Sequence, residues 1–252
     1  MKKILALLLM VVVLTTFALT GCGDPNASTL DDGKLVIGYT IYPPMNYTDD
    51  NGDFVGFDTE LAKLFCQKLG VNAEFKEINW DNKFIDLESK NIDVIWNGMT
   101  ITDEVKEKTA ASKPYFENKQ VVICKTEDAS LYTSAESLQG VNVVVEGGSA
   151  GESVATAAGA NVTKADAQKD TLMEVKTGAS KAAIIDLTMA QVLVGEGTDY
   201  ADLTYVDVGF ELEEFGVAFR KADLSLAKAF DMFIAYAKED GSFDALFAKY
   251  FG

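Results

Sequence analysis

Apolar residues recur along this chain in two periods that keep trading places, and this alternation restricts the possible folds more than any other feature. Short apolar or alternating runs predict strands at 34–40, 71–78, 92–96, 120–125, 141–145, 161–164, 182–185, 203–208 and 215–219. Helical spacing intervenes, most clearly in Phe57, Leu61, Leu64, Phe65 and Leu69, with Gly70 as a stop. Helices are also expected at 84–89, 104–110, 171–176 and 187–194, and one is opened by Ser149 and Glu152 in capping-box spacing. Leu226, Phe230, Phe233, Ile234 and Ala237 mark another, and Phe243, Leu246, Phe247 and Tyr250 a last one. Such alternation implies an α/β fold of parallel sheets covered by helices, and 252 residues suit two sheets better than one. In open α/β sheets ligands bind beyond the carboxyl ends of the strands, so the loops there are where function is sought.

Charge narrows the function. With 22 Lys+Arg against 39 Asp+Glu the formal charge is −17, the opposite of a nucleic-acid-binding footprint. An anionic membrane surface repels such a chain, so any membrane attachment must be covalent or apolar. The chain has no histidine and a single arginine, Arg220, which excludes a histidine base and imidazole metal sites. No metal and no cofactor is expected.

Lys2 and Lys3 precede an unbroken apolar stretch over 4–13 that continues with little polarity to Leu19, the pattern of an export signal. It ends in Leu19-Thr20-Gly21-Cys22, which resembles the lipobox of bacterial lipoproteins. The reading is a signal peptide over 1–21, lipidation at Cys22 and a polar tether over 22–33. Loss of Lys2 and Lys3 takes the charge from −17 to −19. The expected location is the extracytoplasmic face of the cell membrane, reached through the Cys22 lipid alone. Cys66 falls on a helical face and Cys124 in a β-rich run; a disulfide is open to them, but two buried thiols fit better.

The strand ends carry Tyr42-Pro43-Pro44-Met45, Gly56-Phe57-Asp58 (Asp58 suited to cap the helix), Trp80-Asp81, Gly98-Met99-Thr100-Ile101-Thr102 and Pro114-Tyr115. In this order they resemble the family 3 extracellular solute-binding proteins of polar amino-acid ABC importers, over about 34–252. The resemblance implies a type II periplasmic-binding-protein-like fold: lobe I over 34–116 and 216–252, lobe II over 120–209, two hinge crossings and a ligand cleft between. It implies that Tyr42 and Trp80 sandwich the ligand side chain. Asn97, Gly98 and Thr100 would hold its polar head, Ser149 and Ala150 its carboxylate, and Asp186 its α-amino group. The implied partners are a small solute and an ABC permease, with the protein a monomer and not an enzyme.

One departure stands out. Where the family usually has Thr-x-x-Arg, this chain has Thr102-Asp103-Glu104-Val105, so the bidentate carboxylate clamp is absent. Glu146 stands where an apolar residue is common, and with Asp186 it leaves the cleft acidic. The expected ligand is therefore an amino acid or a cationic amine-type derivative that depends less on a carboxylate than usual. Two other classes compete. A dehydratase on the same fold would need a general acid such as Glu146, but its carboxylated substrates would miss the arginine. A sensor or adhesin module is the other; a sensor would need a spanning helix, and no apolar segment after residue 22 is long enough.

Overall fold

The structure, a computed structural model, describes residues 29–252. The signal-peptide and Cys22 expectations lie outside the described residues, and none of the described helices is long and apolar enough to cross a membrane.

Among the described residues twelve strands form two sheets joined edge to edge, plus one hairpin. In the first sheet β1 (Lys34–Tyr39) lies between β4 (Asn72–Glu77) and β5 (Val94–Thr100), all parallel. Strand β12 (Leu212–Phe219) runs antiparallel to β5 and carries short β6 (Ala110–Ala111). The hairpin is β2 (Tyr47–Thr48) with β3 (Phe54–Val55). In the second sheet β8 (Asn142–Glu146), β9 (Asn161–Ala165) and β10 (Ala182–Asp186) are parallel, and β11 (Leu203–Val206) pairs antiparallel with β7 (Phe116–Lys125).

Strand β7 belongs to both sheets. Its first residues, Phe116 to Lys119, pair with Phe215 to Leu212 of β12. From Gln120 onward it pairs with β10 and β11. Both crossing strands start earlier than expected, at Phe116 and Leu212, because Glu117-Asn118-Lys119 and Glu213-Glu214 have no apolar run to announce them. Their backbones pair with each other instead.

Helices cover the sheets as the alternation requires. In the first unit α1 (Phe57–Leu69), α7 (Leu224–Asp240) and α8 (Ser242–Phe251) bury Phe57, Phe65, Phe230 and Phe233 against Val94 and Trp96. On its opposite face α2 (Lys83–Glu88) and α3 (Asp103–Lys108) meet Ile95 and Met99, the alternate side chains of β5. The second unit is flanked by α4 (Ala150–Ala157), α5 (Gln168–Thr177) and α6 (Leu187–Leu193). Cys66 and Cys124 are free and buried, and burial pushes their thiols up to about 12 and about 11. That settles the cysteine alternatives in favour of thiols.

Asp58 does not cap α1. The cap position is Gly56, and Asp58 is fully buried, accepting from the Gly98 amide at 2.6 Å and the Tyr115 hydroxyl at 2.7 Å. It ties the start of α1 to the end of β5. Gly56 has φ +131°, and a Cβ there would stand 2.1 Å from the Met45 carbonyl oxygen. Gly56→Ala is expected to destabilise the fold by about 2 to 3 kcal/mol in urea unfolding; an unchanged midpoint would contradict this account.

Candidate functional site

Beyond the carboxyl ends of β5, β8 and β10 lies a cavity of about 330 Å³ between the two sheets. Trp80, Asn97, Gly98, Thr100, Glu146, Ser149 and Asp186 line it, and Val105 closes part of its apolar wall. Tyr42 does not line it. Its ring sits behind Gly98, edge-on to Phe215 at 6.5 Å, and its hydroxyl meets Thr188 Oγ1 at 2.5 Å. A residue other than glycine at 98 would strike that ring, since a Cβ there falls 2.7 Å from Tyr42 Cε1.

The acidic end is built by strand register. Asp186 pairs with Gln120, and Asn118 with Glu213. Asp186 accepts from Asn118 Nδ2, from Gln120 Nε2 at 2.7 Å and from Gln168 Nε2 at 2.5 Å. Although it precedes α6, its side chain does not cap that helix. Glu213 accepts from Gln120 Nε2 at 2.9 Å and Thr100 Oγ1 at 3.0 Å. Asn97 ties the loop after β1 to β5, donating to the Thr40 carbonyl and to Asn46 Oδ1. Ser149 caps α4, accepting from the Glu152 amide at 3.1 Å, while Glu152 accepts from Gly148 N at 2.7 Å, a shifted capping box. Glu146 differs: it is 2 % exposed, and its Oε1 is a buried oxygen with no hydrogen-bond partner.

Lys83 was not anticipated from sequence. It is 6 % exposed and lines the cavity, with Nζ 5.0 Å from the Trp80 ring centroid and 4.9 Å from that of Phe84. The signal was there: Lys83 shares the buried phase of α2 with Leu87. Gln120, Gln168, Asn118 and Glu213 were missed as well, because polar residues near strand and helix starts look like ordinary surface.

The two units touch around the cavity. Lys83 Nζ donates to the Gly148 carbonyl at 2.7 Å, Lys164 meets Asp81 at 3.3 Å, and Asn79 Nδ2 donates to Asp166 at 3.3 Å. Gly148, at φ +71°, permits this approach, since a Cβ there would lie 2.9 Å from Asp81 Cα.

Burial raises the carboxyls of this region. Glu146 is pushed up to about 8 by burial, which Thr40, Lys83 and Gln168 offset in part while Asp186 adds repulsion. Asp186 is pushed up to about 7 by burial and then by Glu213, against the pull of its amide donors. Asp58 rises to about 6, again through burial. The folded state therefore holds more protons than the unfolded chain between about pH 4.5 and pH 8. Stability contributed by these groups is full at the acidic end and is lost as pH rises. The melting midpoint of the free protein should fall from about pH 5 to about pH 8.5 at constant ionic strength. Glu146→Gln should flatten the upper part of that decline, and a flat or rising profile in the unsubstituted protein would contradict the assignment.

The sequence matches the family model described as bacterial extracellular solute-binding proteins, family 3, over residues 35–252. It is 34% identical over 224 residues to the L-cystine-binding protein TcyJ of Escherichia coli (strain K12), covering 87% of this chain and 83% of that protein. To the arginine-binding extracellular protein ArtP of Bacillus subtilis (strain 168) it is 30% identical over 251 residues, covering 97% of each. The structure of an ancestral arginine-binding protein bound to arginine superposes with TM-score 0.80 at 36% identity, covering 87% of this chain and 99% of that one. With a cleft between two α/β units and a family match over nearly all the described residues, the chain belongs to the family 3 bacterial extracellular solute-binding proteins.

Proposed function

We propose that this protein captures an amino acid carrying a second basic nitrogen centre and delivers it to an ABC importer. The observation that carries the reading is the charge pattern of the cavity. Asp103, Glu104, Glu146 and Asp186 line it and Glu213 stands behind Asp186, against one lining cation, Lys83, among the described residues. The unpartnered Glu146 Oε1 is a buried acceptor, and a buried acceptor without a donor is costly until a ligand supplies one. Asp186 already accepts from three side-chain amides, so Glu146 is the more open of the two acids. Arginine, lysine, ornithine, histidine and cystine all bring two basic nitrogen centres, and the similarity to cystine- and arginine-binding proteins agrees with this class.

On this reading Trp80 is the aromatic wall of the cleft and Tyr42 a buttress behind it. The unit of 34–116 with 216–252 closes on the unit of 120–209, with Lys83–Gly148 and Lys164–Asp81 joining their rims. Binding, not turnover, is the activity. The protein works as a monomer held to the outer face of the membrane through lipid on Cys22.

Calorimetric titration of the ligand-stripped protein tests this. At least one of L-arginine, L-lysine, L-ornithine, L-histidine and L-cystine should bind at about micromolar Kd or tighter, whereas L-glutamate and L-leucine should not. An ammonium beside Glu146 and Asp186 favours their ionised forms. Binding should therefore release protons, and affinity should rise from about pH 6 to about pH 8. Tight binding of glutamate or leucine, with none of the basic compounds bound, would overturn the reading.

A further inference from the structure

We propose that Lys83 forms a carboxylate subsite in this cavity, taking the ligand's anionic end where Val105 leaves no arginine to do so. The inference rests on the amino-acid reading above and assigns the half of the site that reading leaves open. Val105 lines the same cavity, is buried, and has no group for an anion to meet. Lys83 is the only lysine or arginine lining the cavity among the described residues.

Its ammonium has no carboxylate in direct contact, although Glu104, Glu146 and Asp81 act on it from farther away. Lys83 is buried, yet no described carboxylate comes within 4.0 Å of its Nζ; every ion pair found uses another cation. Two backbone carbonyl oxygens receive it, those of Trp80 at 3.3 Å and Gly148 at 2.7 Å. An ammonium has three N–H groups, so one stays free. Two aromatic faces stabilise the charge without neutralising it. A buried charge is ordinarily paired, and the unfilled cavity it lines is where a partner fits. The nearby start of α4 points the same way. The amides of Ala150 and Gly151 have no acceptor among the described residues, and Ala150 lines the cavity with Lys83. Asp103, Glu104, Glu146 and Asp186 are the acids of the lining, so the cavity offers acceptors to ammonium groups and this one cation to a carboxylate.

A purely mechanical role competes with this one, since the Lys83–Gly148 bond also joins the two units. Amino acids and their decarboxylated amines separate the two roles. The pairs are L-arginine and agmatine, L-lysine and cadaverine, L-ornithine and putrescine, L-histidine and histamine, L-cystine and cystamine. The unsubstituted full chain should prefer the amino acid of whichever pair it binds. Lys83→Met, which keeps the apolar stem against Trp80 and Phe84, should weaken that amino acid about 10²- to 10³-fold and the matching amine less than about threefold. Lys83→Arg should restore most of the preference. Lys83→Gln gives the same comparison should the Met variant fail to fold. Equal losses for amino acid and amine, no loss for either, or equal affinity for both in the unsubstituted protein overturn the carboxylate subsite alone. Failure of the unsubstituted protein to bind any of the ten compounds overturns it together with the amino-acid reading.

Discussion

The Asp186 carboxylate is held by side-chain amides from two segments remote in sequence, Asn118 and Gln120 on the crossing strand and Gln168 at the start of α5. Gln120 passes a second bond to Glu213 on the other crossing strand, and Glu213 receives Thr100 from the end of β5. One continuous network therefore spans both sheets at the point where β7 leaves one and joins the other. Without those amides the buried Asp186 and the half-buried Glu213 would repel each other unrelieved, and the paired crossing strands would lose the reason for their polar residues. The cleft floor, its acidic character and the path of the chain between the units all follow from this arrangement.

The rest of the site is marked by two buried ionisable side chains, Glu146 and Lys83, that line the same cavity. Glu146 keeps an oxygen without a donor, and Lys83 keeps an N–H without an acceptor. Both are buried, and both are charged residues that a folded chain rarely hides without partners. A core built only for stability would pair them or replace them with apolar side chains. Leaving an acceptor and a donor open in one cavity fits a site that binds a polar ligand. The contacts of Asp81, Lys83 and Asn79 with the second unit join the two rims of the cavity.

Much of the fold was legible because burial on a sheet leaves a trace in the residues themselves. The continuous runs of β8 and β10 and the helical phase of Phe57, Leu61 and Phe65 report their surroundings directly. Phe116-Glu117-Asn118-Lys119 carries no such trace, since those residues are strand only through pairing with β12. Trp80, Asn97, Gly98, Thr100, Ser149 and Asp186, singled out by the family resemblance, and Glu146, singled out as a departure from it, all line the cavity. Tyr42 was named the same way but lies behind Gly98, because a glycine at that position opens room for its ring beneath the floor. Asp58 read as a cap by its position one turn into a helix, yet its carboxylate turns inward to Gly98 and Tyr115.

The residues in order determined the α/β class, the two-sheet division and the family, and they set a valine at 105 where the family resemblance implies an arginine, because each depends on local periodicity or on the identity of single positions. Which cation faces the cavity, which acid keeps a free oxygen and which aromatic stands outside were decided only in three dimensions. Those properties are differences between neighbours far apart in the chain: the Lys83 ammonium is defined by Gly148, and the Asp186 carboxylate by Asn118 and Gln168. A side chain's charge is written in the sequence, whereas the partner it lacks exists only once the chain has closed around it.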